Sequence, residues 1–118
     1  MKVLLLEDDV ALSDLLNEHL EDKGFEVTLC TNGQVALEAL IEQKFDIALL
    51  DINTPQISGI EVLKSIRKEY KNNTPVIILT AYQDTKHLKE SFENGVDDYI
   101  KKPFDLEELD QRILKLCR

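Results

Sequence analysis

Cysteine, proline, glycine and tryptophan are all scarce in this sequence. Its 118 residues include two cysteines, three prolines, four glycines and no tryptophan. The cysteines, Cys30 and Cys117, form neither a CxxC motif nor another metal-ligand spacing. No thiolate metal site is therefore indicated, and a reducing compartment is the simpler interpretation. There is no internal repeat, low-complexity segment or Gly/Ser-rich linker, and the length favours one domain.

Long apolar runs and positive charge are also scarce. The run that follows Met1 and Lys2 ends at Leu6. It is far too short for a signal-peptide core or a membrane span, so we predict a cytoplasmic protein with no membrane contact. The formal net charge of −9 would repel a phosphate backbone, because affinity for DNA depends on Lys and Arg. We therefore expect contact with DNA only through a separate domain.

Four short apolar runs each end at polar residues that are suited to phosphate or metal. The runs and their endings are Val3–Leu6 before Glu7, Asp8 and Asp9; Ile47–Leu50 before Asp51; Val76–Leu79 before Thr80; and Tyr99–Ile100 before Lys101, Lys102 and Pro103. An apolar run with almost no alternation is typical of a strand that is buried on both faces of a parallel sheet. Ligands bind at the carboxyl ends of such strands. The four endings are therefore expected to meet at one site.

Helical patterns alternate with these runs and with a further strand-like run at residues 25–30. The helical patterns cover residues 12–20, 35–40, 60–67, 84–94 and 105–116. Gly24 stands where a left-handed C-terminal cap is expected, and Asp105 with Glu108 predicts a capping box. Five strand–helix units predict an α/β fold, a doubly wound (βα)5 parallel sheet in one domain over residues 1–118. Because the chain stops right after a helix, it could be the N-terminal part of a longer protein.

Asp8, Asp9 and Asp51 share one crevice if the first and third strands are neighbours. Two bare carboxylates about 4 Å apart repel by several kcal/mol at an effective dielectric near 20. Either one carboxyl keeps its proton or a cation binds. An all-oxygen set suits a hard ion, and an open site that keeps its waters suits Mg²⁺. A carboxylate can also accept a phosphoryl group, whose oxygens would be held by the cation, Lys102 and the Thr80 hydroxyl.

Each ending also has an ordinary structural explanation. Acidic residues after a strand often open a solvated helix, a Lys-Pro pair is often a turn, and Thr80 could cap a helix. Asp51 is harder to explain in this way. The conjunction of all four endings in one α/β pattern favours a functional site.

With these residues together, the chain resembles the receiver domain of two-component response regulators, from Lys2 to about Leu116. The resemblance implies a flavodoxin-like sheet of order 2-1-3-4-5 and a separate sensor histidine kinase as phosphoryl donor. The implied site roles are Asp51 as the phosphorylated residue, Asp8, Asp9 and Asp51 with the backbone carbonyl of Asn53 as Mg²⁺ ligands, and Lys102 and Thr80 as contacts of the phosphoryl group.

The resemblance also implies how a signal leaves the domain. Tyr99 would turn inward when the Thr80 hydroxyl moves toward the phosphate. The output face would consist of the fourth helix, fifth strand and fifth helix, and the residues placed on it are Phe92, Asp97, Asp98 and Arg112. The subfamily most resembled precedes a winged-helix DNA-binding domain, so regulation of transcription is the expected output.

Receivers of that subfamily pair through this face, which makes a homodimer an expectation here. Leu88, Lys89 and Asp110 depart from the residues usual at their positions, and this counts against the usual dimer. Tyr82 and Asn53 match positions that tune attack of water on the acyl phosphate. We therefore expect a modest rate of self-dephosphorylation and no enzymatic activity beyond the protein's own phosphoryl transfer.

Three other functions are weaker alternatives. Residues 51–55 begin like the DxDxT signature of haloacid dehalogenase-type phosphatases, but Asn53 cannot replace the second aspartate as general acid and base, and Pro55 departs again. A flavodoxin-like cofactor module needs N–H groups around an anion where Glu7, Asp8 and Asp9 place negative charge. A stand-alone receiver that binds partners without taking phosphate conflicts with the full set of site residues.

Overall fold

The chain forms one parallel sheet whose five strands alternate with five helices. The computed structural model describes residues 1–81 and 85–117. The strands are β1 Lys2–Leu6, β2 Glu26–Cys30, β3 Ile47–Asp51, β4 Val76–Ala81 and β5 Asp98–Lys102. The helices are α1 Val10–Asp22, α2 Gly33–Glu42, α3 Gly59–Lys68, α4 Thr85–Glu93 and α5 Leu106–Leu116. The predicted α/β class and its five βα units are confirmed.

The strand order is β2-β1-β3-β4-β5, with every neighbouring pair parallel. This is the predicted doubly wound, flavodoxin-like order. β1 and β3 pair in register from Val3 opposite Ile47 to Leu6 opposite Leu50. Because the chain winds outward from these two strands in both directions, a crevice opens at their carboxyl ends.

Side chains of the central strands alternate between two buried apolar layers. Leu4 and Leu6 pack with residues of α2 and α3 on one face, and Val3 and Leu5 pack with residues of α1 and α5 on the other. All four are fully buried, and each such burial contributes roughly 1.5–3 kcal/mol. Cover on both faces explains why the strands appear in the sequence as continuous apolar runs.

Side-chain caps fix where the helices begin. Asp9, Asn32 and Asp105 open α1, α2 and α5, and each accepts a hydrogen bond from the backbone N–H three residues later. The predicted cap at Asp105 is thus confirmed, and the reciprocal contact of a full capping box is present at α3, between Ser58 and Glu61. Such caps contribute about 1 kcal/mol each.

Gly24 after α1 has a φ of +93°, the left-handed conformation predicted for a C-terminal cap.

Within residues 1–81 and 85–117, every helix is too short or too polar to cross a bilayer.

Candidate phosphoacceptor site

Three carboxylates converge at the carboxyl ends of β1 and β3. Oxygen atoms of Glu7, Asp8 and Asp51 all lie within 4.8 Å of one another. Glu7 and Asp8 follow β1 directly, and Asp51 is the last residue of β3. The parallel pairing of these two central strands brings the groups together, as the switch-point rule for open α/β sheets requires. The predicted meeting of Asp8 with Asp51 is confirmed.

Glu7 is the member of this cluster that the sequence reasoning missed. Its side chain is 1% exposed, and its Oε1 accepts a hydrogen bond of 2.8 Å from Lys102 Nζ. The available signal was position: Glu7 is the first residue after a fully buried strand, so it is the first that can enter the crevice. A buried carboxylate paired with a lysine is part of the site rather than of a solvated surface.

Asp9 lies beside the cluster rather than in it. Its Oδ1 accepts the N–H of Leu12 at 3.2 Å as the cap of α1, and its own N–H donates to Glu7 Oε2 at 3.2 Å. Asp9 is exposed and is not one of the three converging carboxylates. The acidic pair at this site is therefore Glu7 and Asp8, and the expected pair of Asp8 and Asp9 is corrected by one residue.

Asp51 is a buried carboxyl with an unusual proton affinity. It is 5% exposed. Burial raises the pKa of Asp51 to about 7, and the charge of Glu7 adds to the rise, whereas Lys102 and the N–H of Asn53 oppose it. Lys102 Nζ lies 3.4 Å from Asp51 Oδ1. Without a cation, the acidic cluster thus holds a proton near neutral pH.

Lys102 supplies positive charge from the far side of the crevice. Its Nζ contacts both Glu7 and Asp51, and the peptide bond to Pro103 is cis. Burial lowers the pKa of Lys102, but the hydrogen bond to Glu7 and the charges of Asp51 and Glu7 outweigh it and raise the pKa above its usual value. Lys102 therefore stays charged at the site.

The other predicted site residues lie around this centre. Thr80 is buried near the end of β4, opposite Lys101 of β5 in the sheet register. Asn53 is exposed in the loop after β3, and its N–H points to Asp51 Oδ1 at 3.4 Å. Tyr82, the predicted rate-tuning residue, lies outside the described residues.

Phe92 of the predicted output face contacts Tyr99, the predicted switch residue. Their rings meet edge to face with centroids 5.5 Å apart, and Phe92 is 54% exposed. Arg112 Nη1 donates to Asp98 Oδ1 at 2.8 Å, which joins α5 to β5 within one chain. Phe92, Asp98, Tyr99 and Arg112 therefore form one surface across α4, β5 and α5.

Asp97, which was predicted on the output face, makes contacts within its own chain. Its Oδ2 accepts hydrogen bonds from the N–H of Val76 at 2.8 Å and from Arg67 Nη2 at 3.0 Å. These contacts lie at the amino ends of β4 and β5, and they hold Asp97 within its own chain. Asp110 also turns away from the output face, since its Oδ1 lies 2.8 Å from His19 Nε2 of α1.

The sequence matches the protein-family model described as the response regulator receiver domain over residues 3–114. It is 46% identical over 112 residues to the transcriptional regulatory protein CrdR of Helicobacter pylori, covering 95% of this chain and 53% of that protein. It is 41% identical over 117 residues to the transcriptional regulatory protein CpxR of Escherichia coli, covering 99% of this chain and 49% of that protein. The chain thus spans about half the length of these curated relatives.

Solved structures show the same architecture. The receiver domain of the Francisella response regulator 1452 superposes with a TM-score of 0.90 at 35% identity, covering 98% of this chain and 94% of that one. The receiver domain of the sensor histidine kinase PA1611 from Pseudomonas aeruginosa, solved with a magnesium ion coordinated in its active site cleft, superposes with a TM-score of 0.89 at 28% identity, covering 98% and 96%.

Sequence, fold and acidic crevice thus lead to one assignment. The family match extends over almost the whole chain, and relatives at more than 40% identity cover it equally well. This chain belongs to the family of response regulator receiver domains of two-component systems.

Proposed function

We propose that this protein is a phosphorelay receiver that takes a phosphoryl group onto Asp51 from a sensor histidine kinase and requires Mg²⁺. The observation that carries the proposal is the convergence of Glu7, Asp8 and Asp51 within 4.8 Å, with Lys102 Nζ 3.4 Å from Asp51. Excess negative charge at a buried site, beside one lysine, suits a site that receives both a cation and a phosphoryl group.

The donor set fits Mg²⁺. The converging ligand atoms are carboxylate oxygens, and a hard cation prefers such donors. Asp8 is exposed, so the site is open to the waters that Mg²⁺ retains. Glu7, Asp8 and Asp51 would hold the ion, with the backbone carbonyl of Asn53 as a further candidate. When bound, the cation neutralises charge on the carboxylates and on phosphoryl oxygens.

The protein's own groups account for the transfer. A carboxylate oxygen of ionised Asp51 forms a bond to phosphorus while the P–N bond of the donor phosphohistidine breaks; the imidazole nitrogen keeps the electron pair and takes a proton from solvent. Lys102, whose Nζ lies 3.4 Å from Asp51 Oδ1, would pair with a phosphoryl oxygen. Thr80, buried near the end of the neighbouring strand, would donate its hydroxyl to another. The resulting acyl phosphate would hydrolyse slowly, which is the only further reaction we propose.

The output follows as a shift between two states of the α4–β5–α5 surface. The inward state of Tyr99 would be favoured only to the extent that it binds phosphate more tightly. The transcriptional regulators CrdR and CpxR are about twice as long as this chain. This supports transcription control through a separate DNA-binding domain. A cytoplasmic location and a homodimer through the same surface remain predictions from the sequence.

Phosphorylation of the purified protein tests the proposal. With Mg²⁺ and acetyl phosphate, the parent should gain the mass of one phosphoryl group, and hydroxylamine should remove it because an acyl phosphate is labile. The isosteric variant Asp51→Asn should gain none. A label that survives hydroxylamine, or that persists in Asp51→Asn, would contradict the proposal. Turnover of p-nitrophenyl phosphate that is lost in Asp51→Asn would instead support the phosphatase alternative.

A further inference from the structure

The loop after β3 is contacted at close range by the first residues of two helices. Gly33, which opens α2, donates its N–H to the carbonyl of Pro55 at 3.1 Å. Gly59, which opens α3, donates its N–H to the carbonyl of Ile52 at 3.1 Å. Residues 52–58 are therefore held from outside at two points.

A side chain at either glycine would displace this loop. A Cβ atom built on Gly33 would lie 1.8 Å from the carbonyl oxygen of Ile57, and one built on Gly59 would lie 2.3 Å from the carbonyl oxygen of Asp51. Both distances are well below van der Waals contact. Because the facing atoms belong to the backbone, no rotamer change can relieve the overlap, and the loop or the helix must move.

The loop's own residues set its path only in part. Gln56 has a φ of +73°, a conformation that non-glycine residues seldom adopt. Within the loop, the Thr54 hydroxyl donates to the carbonyl of Ile57 at 3.1 Å, so the same oxygen that faces Gly33 also closes the turn. The position of this carbonyl is thus set jointly by the turn and by α2.

We propose that Gly33 is a positioning residue for the cation site. It lets α2 approach the loop closely enough to fix where Asn53 lies relative to Glu7, Asp8 and Asp51, although the three atoms nearest to a Cβ built on Gly33 all belong to Ile57. This inference rests on the proposed function. Gly33 is more informative than Gly59, because a side chain at Gly59 would push on Asp51 itself, whereas one at Gly33 pushes only on the loop.

Substitution Gly33→Ala should weaken Mg²⁺ binding about 10-fold, the usual loss when a supporting residue of a metal site is changed. Labelling by acetyl phosphate should then be slow at limiting Mg²⁺ and return to the parent rate at saturating Mg²⁺. In the metal-free protein, the amide resonance of Asn53 should shift. A residue that only stabilised the fold would alter neither the Mg²⁺ requirement nor that resonance.

Gly24→Ala is the matched control. Gly24 also lies at a helix end and, with a φ of +93°, also resists substitution, but a Cβ atom built on it would have no neighbouring atom within 4 Å. This variant should lose stability while keeping the parent affinity for Mg²⁺, measured by titration calorimetry.

The possible outcomes distinguish a failure of the proposed function from a failure of the inference about Gly33. If the parent binds no Mg²⁺, the proposed function fails and the inference fails with it. If the parent binds Mg²⁺ and Gly33→Ala binds it equally well, the inference alone is overturned. Should Gly33→Ala not fold, Thr54→Val decides: it removes the hydroxyl bond to Ile57 without a steric clash, and unchanged Mg²⁺ affinity in that variant would also overturn the inference.

Discussion

At the scale of single residues, the three carboxyl groups of the acidic cluster, Glu7, Asp8 and Asp51, outnumber the one ammonium group of Lys102 beside them. Glu7 and Asp51 are almost fully buried, and both depend on the same ammonium group. Burial without full pairing costs folding free energy. Under the proposed function, this loss of stability is the cost of a site that could receive a cation and a phosphoryl group.

This cost gives a pH-dependent prediction for Asp51→Asn. Since the pKa of Asp51 rises from 3.8 to about 7 on folding, the folded state binds more protons than the unfolded state between these values, and stability falls as pH rises through that window. Without metal, Asp51→Asn should be more stable than the parent at pH 8, by on the order of 2 kcal/mol. At pH 5 this advantage in stability should be clearly smaller. Urea denaturation at each pH measures the free energy of unfolding of the parent and of the variant. An equal difference between them at the two pH values would contradict the raised pKa of Asp51 as its cause.

Asp8 and Asp9 are neighbours for which opposite effects are expected. Asp9→Ala removes the cap of α1 and should cost about 1 kcal/mol, with Mg²⁺ affinity close to that of the parent. Asp8→Ala removes a converging carboxylate and should lower Mg²⁺ affinity at least about 10-fold, with little loss of stability. Calorimetric titration and urea denaturation of both variants check this, and a large loss of Mg²⁺ binding in Asp9→Ala would restore Asp9 to the metal site.

At the scale of helices and strands, the sequence predicted which elements are present and in what order better than it predicted the contacts between them. The strand-like run at 47–50 and the helical pattern at 60–67 correspond to β3 and α3 within one or two residues. Such elements depend on local periodicity, caps and breakers. Asp97, by contrast, was placed on the output face, and its partner Arg67 is 30 residues away.

The junction of α3, β4 and β5 therefore has a testable role in stability. Arg67 donates to the carbonyls of Gly95, Asn72 and Thr74 as well as to Asp97. Burial lowers the pKa of Arg67, and Asp97 opposes this shift. Asp97→Ala leaves a partly buried guanidinium and the N–H of Val76 with fewer partners, and should cost about 1–3 kcal/mol.

Asp98→Ala is the neighbouring control for that variant. Its partner Arg112 is 38% exposed, so the loss should stay below about 1 kcal/mol. Urea denaturation at two protein concentrations distinguishes the explanations. A cost for Asp97→Ala that is absent at low concentration would assign Asp97 to an interface between copies instead.

For the molecule as a whole, Mg²⁺ and folding should be linked. A cation that binds only the folded state adds about 2.7 kcal/mol of stability at 100 times its Kd. The gain should be larger at pH 8 than at pH 5, because the carboxyls must be ionised to bind. Because the net charge is −9, NaCl at equal ionic strength is the control for screening. Equal gains from NaCl and MgCl₂ would mean that no specific cation site exists.

The sequence by itself determined the α/β class and the five βα units, and it predicted a site at Asp51, Thr80 and Lys102, because unbroken apolar runs and their polar endings are local features. Only the tertiary structure decided that Glu7 rather than Asp9 joins Asp8 and Asp51, and that Asp97 is held within its own chain by Arg67. Neighbouring carboxylates of similar chemistry differ only in where their side chains point. That direction is set by the pairing of β1 with β3 and by the start of α1, which involve residues distant in sequence.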